Sequence, residues 1–264
     1  MEDPRRMSFG ELATQAEEAT FLGWDFEWIE GRWWEESPPW DYGEMARGLL
    51  RSCRRALDMG TGGGEFLASL RDSMPEVMLA TEAYQPNIDV ARRRLAPLDV
   101  EVVDIPAASL YGIAFQDEVY PLPTEGDSLD VVLCRHESFD PSEVARVLRR
   151  GGQFLTQQVG AQDFAGLNER LGARLSYPNW TLATARAQVE AAGLTVLRAE
   201  EWIGNAGFHD IGALIYYLRA VPWQVEGVSP ERRDAALRRM HEEMSAGHPL
   251  HLESHRFLLL AEKR

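Results

Sequence analysis

Cysteine is scarce: Cys53 and Cys134 are the two in 264 residues. They build no disulfide framework, and a reducing cytoplasmic setting is expected. No run of 18 apolar residues occurs, so no membrane span is expected. The opening residues Met1-Glu2-Asp3-Pro4-Arg5-Arg6 lead into no apolar stretch, which argues against a secretory signal. Lysine is nearly missing, Lys263 being the single example among 27 basic residues. Positive charge is short altogether: 42 acidic side chains leave a formal net charge of −15, and residues 1–50 contribute −8 of it. A protein that grips phosphate backbones needs a basic face, so nucleic acid is disfavoured as a partner. With 45% hydrophobic and 26% charged residues, wholesale disorder, collagen and coiled coil are excluded.

Strands and helices alternate from Arg55 onward. Ala56-Leu57-Asp58-Met59 is a short apolar run followed by Gly60-Thr61-Gly62-Gly63-Gly64, and Phe66, Leu67 and Leu70 then mark a helix. Val77–Thr81 reads as a strand ending in Glu82, and 86–95 as a helix. Val100–Val103 reads as a strand ending in Asp104, and Leu129–Cys134 as the next one. Asp140, Pro141 and Glu143 carry the signature of a capped helix start, and Gly151-Gly152 its stop. Strands over 154–158, 195–199 and 256–261 and a helix over 181–192 complete the pattern. The expected fold is α/β: a Rossmann-like, doubly wound, mainly parallel sheet of about seven strands with helices on both faces. N-terminal helices and a helical insertion before the last strand are added to it. The chain (1–264) is read as a single domain, with a helical cap over 1–50 and a cofactor-binding core over 51–204. A helical insertion on the acceptor side over 205–250 and a terminal strand over 255–264 complete it.

Glycine at alternate positions after a buried strand lets backbone approach a ligand closely. A P-loop needs Lys and Ser/Thr after its last glycine, but Glu65-Phe66 follow Gly64. A dinucleotide fingerprint needs glycine at position 65, where Glu65 would face a pyrophosphate. Asp58-Met59-Gly60-Thr61-Gly62-Gly63-Gly64 resembles the first motif of class I S-adenosylmethionine-dependent methyltransferases. Leu122-Pro123 with Asp127-Ser128-Leu129-Asp130-Val131-Val132 resembles the family's approach to its fourth strand. Val147-Leu148-Arg149-Arg150-Gly151-Gly152 resembles its Gly-Gly turn, with Arg150 where proline is usual.

The resemblance covers roughly 55–200 plus the terminal strand, and implies S-adenosyl-L-methionine as cofactor and S-adenosyl-L-homocysteine as product. It implies that Asp58 serves the cofactor's ammonium directly or through water, and that Glu82 accepts both ribose hydroxyls. Asp104 would stand near the adenine amino group, although Asp117, 13 residues before Asp130, has a spacing that also suits that role. Met59, Gly60, Thr61, Gly62, Gly64, Ala83, Ile105 and Arg135 would complete the cofactor site. The expected reaction is methyl transfer to an oxygen, nitrogen or carbon of a small-molecule acceptor. An RNA methyltransferase and a catalytically silent cofactor-binding protein are the alternatives.

His136 follows the fourth strand of this unit, at the carboxyl edge where open α/β sheets bind ligands, and is the candidate general base. Packing against the helix at Asp140 is its plainer role, and Glu137 reads as a loop carboxylate. His241, His248, His251 and His255 form a loose group in the sequence, read as surface and loop histidines, and no metal site is expected. Five of the eight tryptophans (Trp24, Trp28, Trp33, Trp34, Trp40) lie in residues 1–50. They suit either a core for an added layer or an aromatic wall over an acceptor. The second reading expects Trp33, Trp34, Trp40 or Tyr42 to meet Tyr216, Tyr217 or Trp223.

Overall fold

A computed structural model describes residues 4–24, 26–105 and 121–264. Eight strands among them form one sheet: β1 (Trp33–Glu35), β2 (Arg55–Met59), β3 (Val77–Glu82), β4 (Val100–Asp104), β5 (Leu129–Arg135), β6 (Leu148–Val159), β7 (Leu194–Phe208) and β8 (Leu250–Lys263). Their order is β1-β7-β8-β6-β5-β2-β3-β4. The five strands from β6 to β4 are parallel, whereas β8 runs antiparallel to both β6 and β7, and β1 antiparallel to β7. Strand order reverses between β2 and β5, which opens a crevice beyond their carboxyl ends.

The helices among the described residues are α1 (Phe9–Glu18), α2 (Tyr42–Arg51), α3 (Glu65–Ser69), α4 (Gln85–Leu95), α5 (Pro141–Val147), α6 (Ala165–Leu171), α7 (Leu182–Ala191), α8 (Ile211–Ala220) and α9 (Pro230–Ser245). None is long and apolar enough to cross a membrane. Successive strand residues serve opposite cores: Ala56, Ala80 and Leu133 face one with Trp40 and Leu67, Leu57, Val132 and Phe154 the other with Val144 and Val189. Burial on both faces explains the unbroken apolar runs in these strands.

A third core lies above the sheet's carboxyl edge. It joins Leu12 and Ala16 of α1, Ile29, Phe164, Leu167, Phe208, Tyr216 and Tyr217 of α8, and Met240 of α9. The sheet itself carries this roof, because β7 and β8 run 15 and 14 residues, far past their partners. Gln153–Val159 of β6 pairs with 256–262, while residues 250–255 continue upward on β7 alone. Arg32 ties the N-terminal segment down: its Nε donates to Asp210 Oδ2 at 2.8 Å and its Nη2 to Oδ1 at 2.5 Å. Asp210 also caps α8, accepting from Ala213 N at 3.0 Å.

Several expectations need correction. The N-terminal block is not all helix, since Trp33–Glu35 adds an eighth strand against Phe208, Gly207 and Ala206. Residues 205–208 and 250 belong to strands, so the helical insertion is shorter than 205–250. The helix starting at Pro141 ends at Val147, and Leu148 already pairs with Leu129. Its capping box does not form. Asp140 Oδ1 accepts from Ser142 N at 2.7 Å, but Glu143 turns to Leu122 N (2.7 Å) and to Arg146.

Candidate active site

The glycine loop leaves β2 with Gly60 and Gly62 at φ +63° and +62°, backbone that favours glycine. The loop is tied to β3 by Thr61 N donating to Thr81 O at 2.9 Å. A Cβ at Gly62 would stand 2.7 Å from Trp24 Cδ1, and one at Gly60 would meet the Glu137 side chain. Both faces of the loop are therefore in close contact with side chains, one from the N-terminal segment and one from the end of β5.

Asp58 is buried at the end of β2. Burial pushes its carboxyl up to about 7, opposed in part by the Arg135 guanidinium. The neighbouring Thr61 hydroxyl eases that burial, yet Thr61 Oγ1 is itself buried without a well-formed hydrogen bond. Glu82 is buried as well, and its carboxyl is raised by burial against the pull of backbone N–H groups. Its Oε1 accepts from Ala83 N at 2.9 Å and Tyr84 N at 2.8 Å. Glu137 accepts from Ser138 N and Oγ, both at 3.0 Å; burial and Glu82 raise it. Three carboxylates thus gather at one loop, with the Arg135 guanidinium acting on Asp58 among them. Arg135 lies over the Phe66 ring at 4.7 Å from its centroid, and burial holds its pKa below the usual arginine range.

Other expected residues contribute differently. Met59 turns its side chain into the apolar core. Ala83 spends its N–H on Glu82, and Ile105 N donates to Glu82 O at 3.1 Å. Asp104 pairs in register with Glu82 and accepts from Gln85 Nε2 at 3.0 Å, while Asp117 lies outside the described residues. Glu65 pairs with Arg94 beside the loop. His136 stands at the crevice with its backbone at φ +62°. The four C-terminal-region histidines do not converge: His241 packs on Phe9, His251 on Trp34, and His255 lies 3.0 Å from Glu201 Oε1.

Sequence reading missed a buried ionic knot beside this crevice. Arg256 Nη1 lies 2.5 Å from Asp163 Oδ1 and its Nη2 2.6 Å from Glu35 Oε1. These residues come from β8, the turn before α6, and β1, and no local spacing connects them. Burial raises Glu35 against the pull of Arg256. Of the expected aromatic pairs Trp33 and Tyr217 do meet, with ring centroids 6.4 Å apart, but within the apolar core of the roof; Trp24, outside the expected set, lies 6.3 Å from Trp223. Trp40 is core, buried in the layer beneath α2.

Comparison with known proteins agrees with this geometry. Residues 57–156 match the family model described as a methyltransferase domain. Over those residues the chain thus carries a methyltransferase domain. No curated protein matches it. Among solved structures, the YcgJ protein of Bacillus subtilis is similar at 20% identity and a TM-score of 0.56, over 84% of this chain and 98% of that one. A putative methyltransferase from Bacillus halodurans shows 18% identity and a TM-score of 0.55, again over 84% and 98%. The [4+2]-cyclase SpnF shares the fold at 14% identity and a TM-score of 0.50, covering 96% of this chain and 92% of its own. Fold alone therefore does not decide chemistry here.

The residues fit the cofactor. A ligand with a sulfonium, an ammonium and a carboxylate matches a site with the carboxylates of Asp58, Glu82 and Glu137 and the Arg135 guanidinium beside Asp58, and Thr61 Oγ1 is a buried polar atom without a well-formed hydrogen bond. Glu82→Ala should weaken S-adenosylhomocysteine binding by roughly tenfold to a hundredfold, the worth of about 1.5–3 kcal/mol for hydrogen bonds to a charged group. Titration calorimetry checks this, and unchanged affinity in a folded variant removes Glu82 from the ribose.

Proposed function

We propose that this protein is an S-adenosylmethionine-dependent methyltransferase that acts on a small molecule held between the glycine loop and the roof. Asp58 holds the ammonium of the cofactor, Arg135 its carboxylate, Glu82 the ribose hydroxyls, and Asp104 stands on the adenine side. S-adenosylmethionine supplies an electrophilic methyl group and leaves as S-adenosylhomocysteine. The protein's share is orientation and exclusion of water, and positioning alone can carry much of such a rate.

The observation that carries this reading is the roof. Its core covers the carboxyl edge of the sheet, and its rings and the Glu35–Arg256–Asp163 knot stand beside the crevice. A crevice with such a roof at its side suits a compact acceptor. The net charge of −15 supports the same choice over RNA. Purified protein incubated with methyl-labelled cofactor and an extract of small metabolites should transfer label to the small-molecule fraction. Label appearing in tRNA or rRNA instead would overturn the acceptor class. Cofactor binding without transfer to either would leave a silent binding protein.

A further inference from the structure

We propose that Gln157 is a positioning residue that locks His136 as a neutral imidazole with its hydrogen on Nδ1, so that His136 meets the acceptor as a hydrogen-bond donor and not as a base. The tautomer is argued from this chain's own contacts; the role toward an acceptor rests on the methyltransferase reading.

Trp40 begins the chain of reasoning, because an indole nitrogen can only donate. Its Nε1 lies 2.7 Å from Gln157 Oε1, which fixes the oxygen of that amide toward Trp40. The amide nitrogen is then the atom facing His136 Nε2, at 2.9 Å. An amide NH2 donates, so Nε2 must offer a lone pair, and a neutral imidazole with that lone pair carries its hydrogen on Nδ1. Gln157 holds the residue a second time, since His136 N donates to Gln157 O at 2.8 Å. That contact supports a left-handed backbone, uncommon for a non-glycine residue, at the end of β5.

The surroundings reinforce the neutral form. The ring opens to solvent in the crevice yet is enclosed by protein on its other sides. Burial first, then Arg256 from β8 and Arg135 from β5, push its pKa well below the ordinary histidine range. Trp40 and Gln157 bring no charge, and Glu137 is the adjacent carboxylate. No described residue takes the Nδ1–H, which is thus available to a ligand. The acceptor class that suits it presents an oxygen lone pair, as a carbonyl, carboxylate or phenolate does. Its nucleophilic atom must be ionised beforehand or release its proton to water, because Nε2 is already engaged.

The full chain labelled with 15N-histidine tests the lock directly by long-range proton–nitrogen correlation, His136 being assigned from its loss in His136→Gln. The expected spectrum shows Nδ1 protonated and unchanged from pH 6 to 8. Gln157→Glu should move the hydrogen to Nε2 and bring titration into that range, and Trp40→Phe should give a mixture of tautomers. An Nε2–H form in the parent protein, or titration of its His136 between pH 6 and 8, overturns the proposal even if a variant fails to fold. In the label-transfer assay, His136→Gln, which still donates, should keep activity within about tenfold, and His136→Leu should lose more. Equal loss of a hundredfold or more in both, the scale of a missing general base, would sink the donor role. S-adenosylhomocysteine calorimetry on the same samples reads the cofactor separately: its failure to bind would reject the methyltransferase reading and leave the tautomer result standing.

Discussion

Arg256→Met should lower the melting temperature by about 10 °C. The substitution keeps much of the side chain's length and removes its charge, leaving buried Asp163 and half-buried Glu35 together without a cation. Removing one partner of a buried ionic set costs about 3–5 kcal/mol, and about 2–4 °C accompanies each kcal/mol in a chain of 150–250 residues. The loss should depend on pH in a definite sense. Burial already raises Glu35, and without Arg256 it rises further. A raised carboxyl imposes its full penalty above the folded pKa and none below the unfolded value of about 4. The deficit of the variant should therefore shrink as pH falls from 8 to 5. Calorimetric melts across that range check it; a deficit independent of pH, or a shift below about 2 °C, would show that the knot contributes little.

Asp58 should make cofactor affinity depend on pH just as strongly. Its carboxyl titrates near 7 before a cation arrives, and an ammonium beside it requires the ionised form. Binding below pH 7 must then release a proton, and affinity should fall by up to about tenfold for each pH unit below 7. Asp58→Asn should flatten that dependence and weaken binding at pH 8 by roughly tenfold to a hundredfold, the range for a charged hydrogen bond. Stability should move the opposite way. Between the unfolded value of about 4 and the folded value near 7, the folded protein holds a proton that the unfolded chain has lost, so stability falls as pH rises. At pH 8 the ligand-free Asp58→Asn protein should melt higher than its parent. Titration calorimetry and melts at pH 5 and 8 decide both points, and pH-independent affinity in the parent would remove Asp58 from the ammonium.

The floor of the molecule was legible because its physics is local. Apolar runs at β2 and β5, glycine at 60, 62 and 64, and acids at strand ends are contiguous signals. The roof was not legible for the opposite reason. Glu200–Asn205 looks like a polar loop, since this part of β7 is partly exposed. Leu250, Leu252 and Ser254 did offer a signal: they alternate with exposed His251 and Glu253, the period of a strand with one face covered. Trp33–Glu35 is too short to show any period. Arg256 and Gln157 matter through partners more than 90 residues away, Asp163, Glu35 and Trp40, and no spacing rule reaches that far.

The uninterrupted run of β7 and β8 from floor to roof has a mechanical consequence. A cover joined to its base by loops can swing, with a few backbone torsions absorbing the change. Here the same two strands are the base at one end and the cover at the other, paired residue by residue from 194–208 to 250–263 apart from one bulge. Lifting the cover would shear that ladder and break backbone hydrogen bonds in series. Roof and floor are accordingly one continuous piece along β7 and β8, with no loop hinge between them in these two strands.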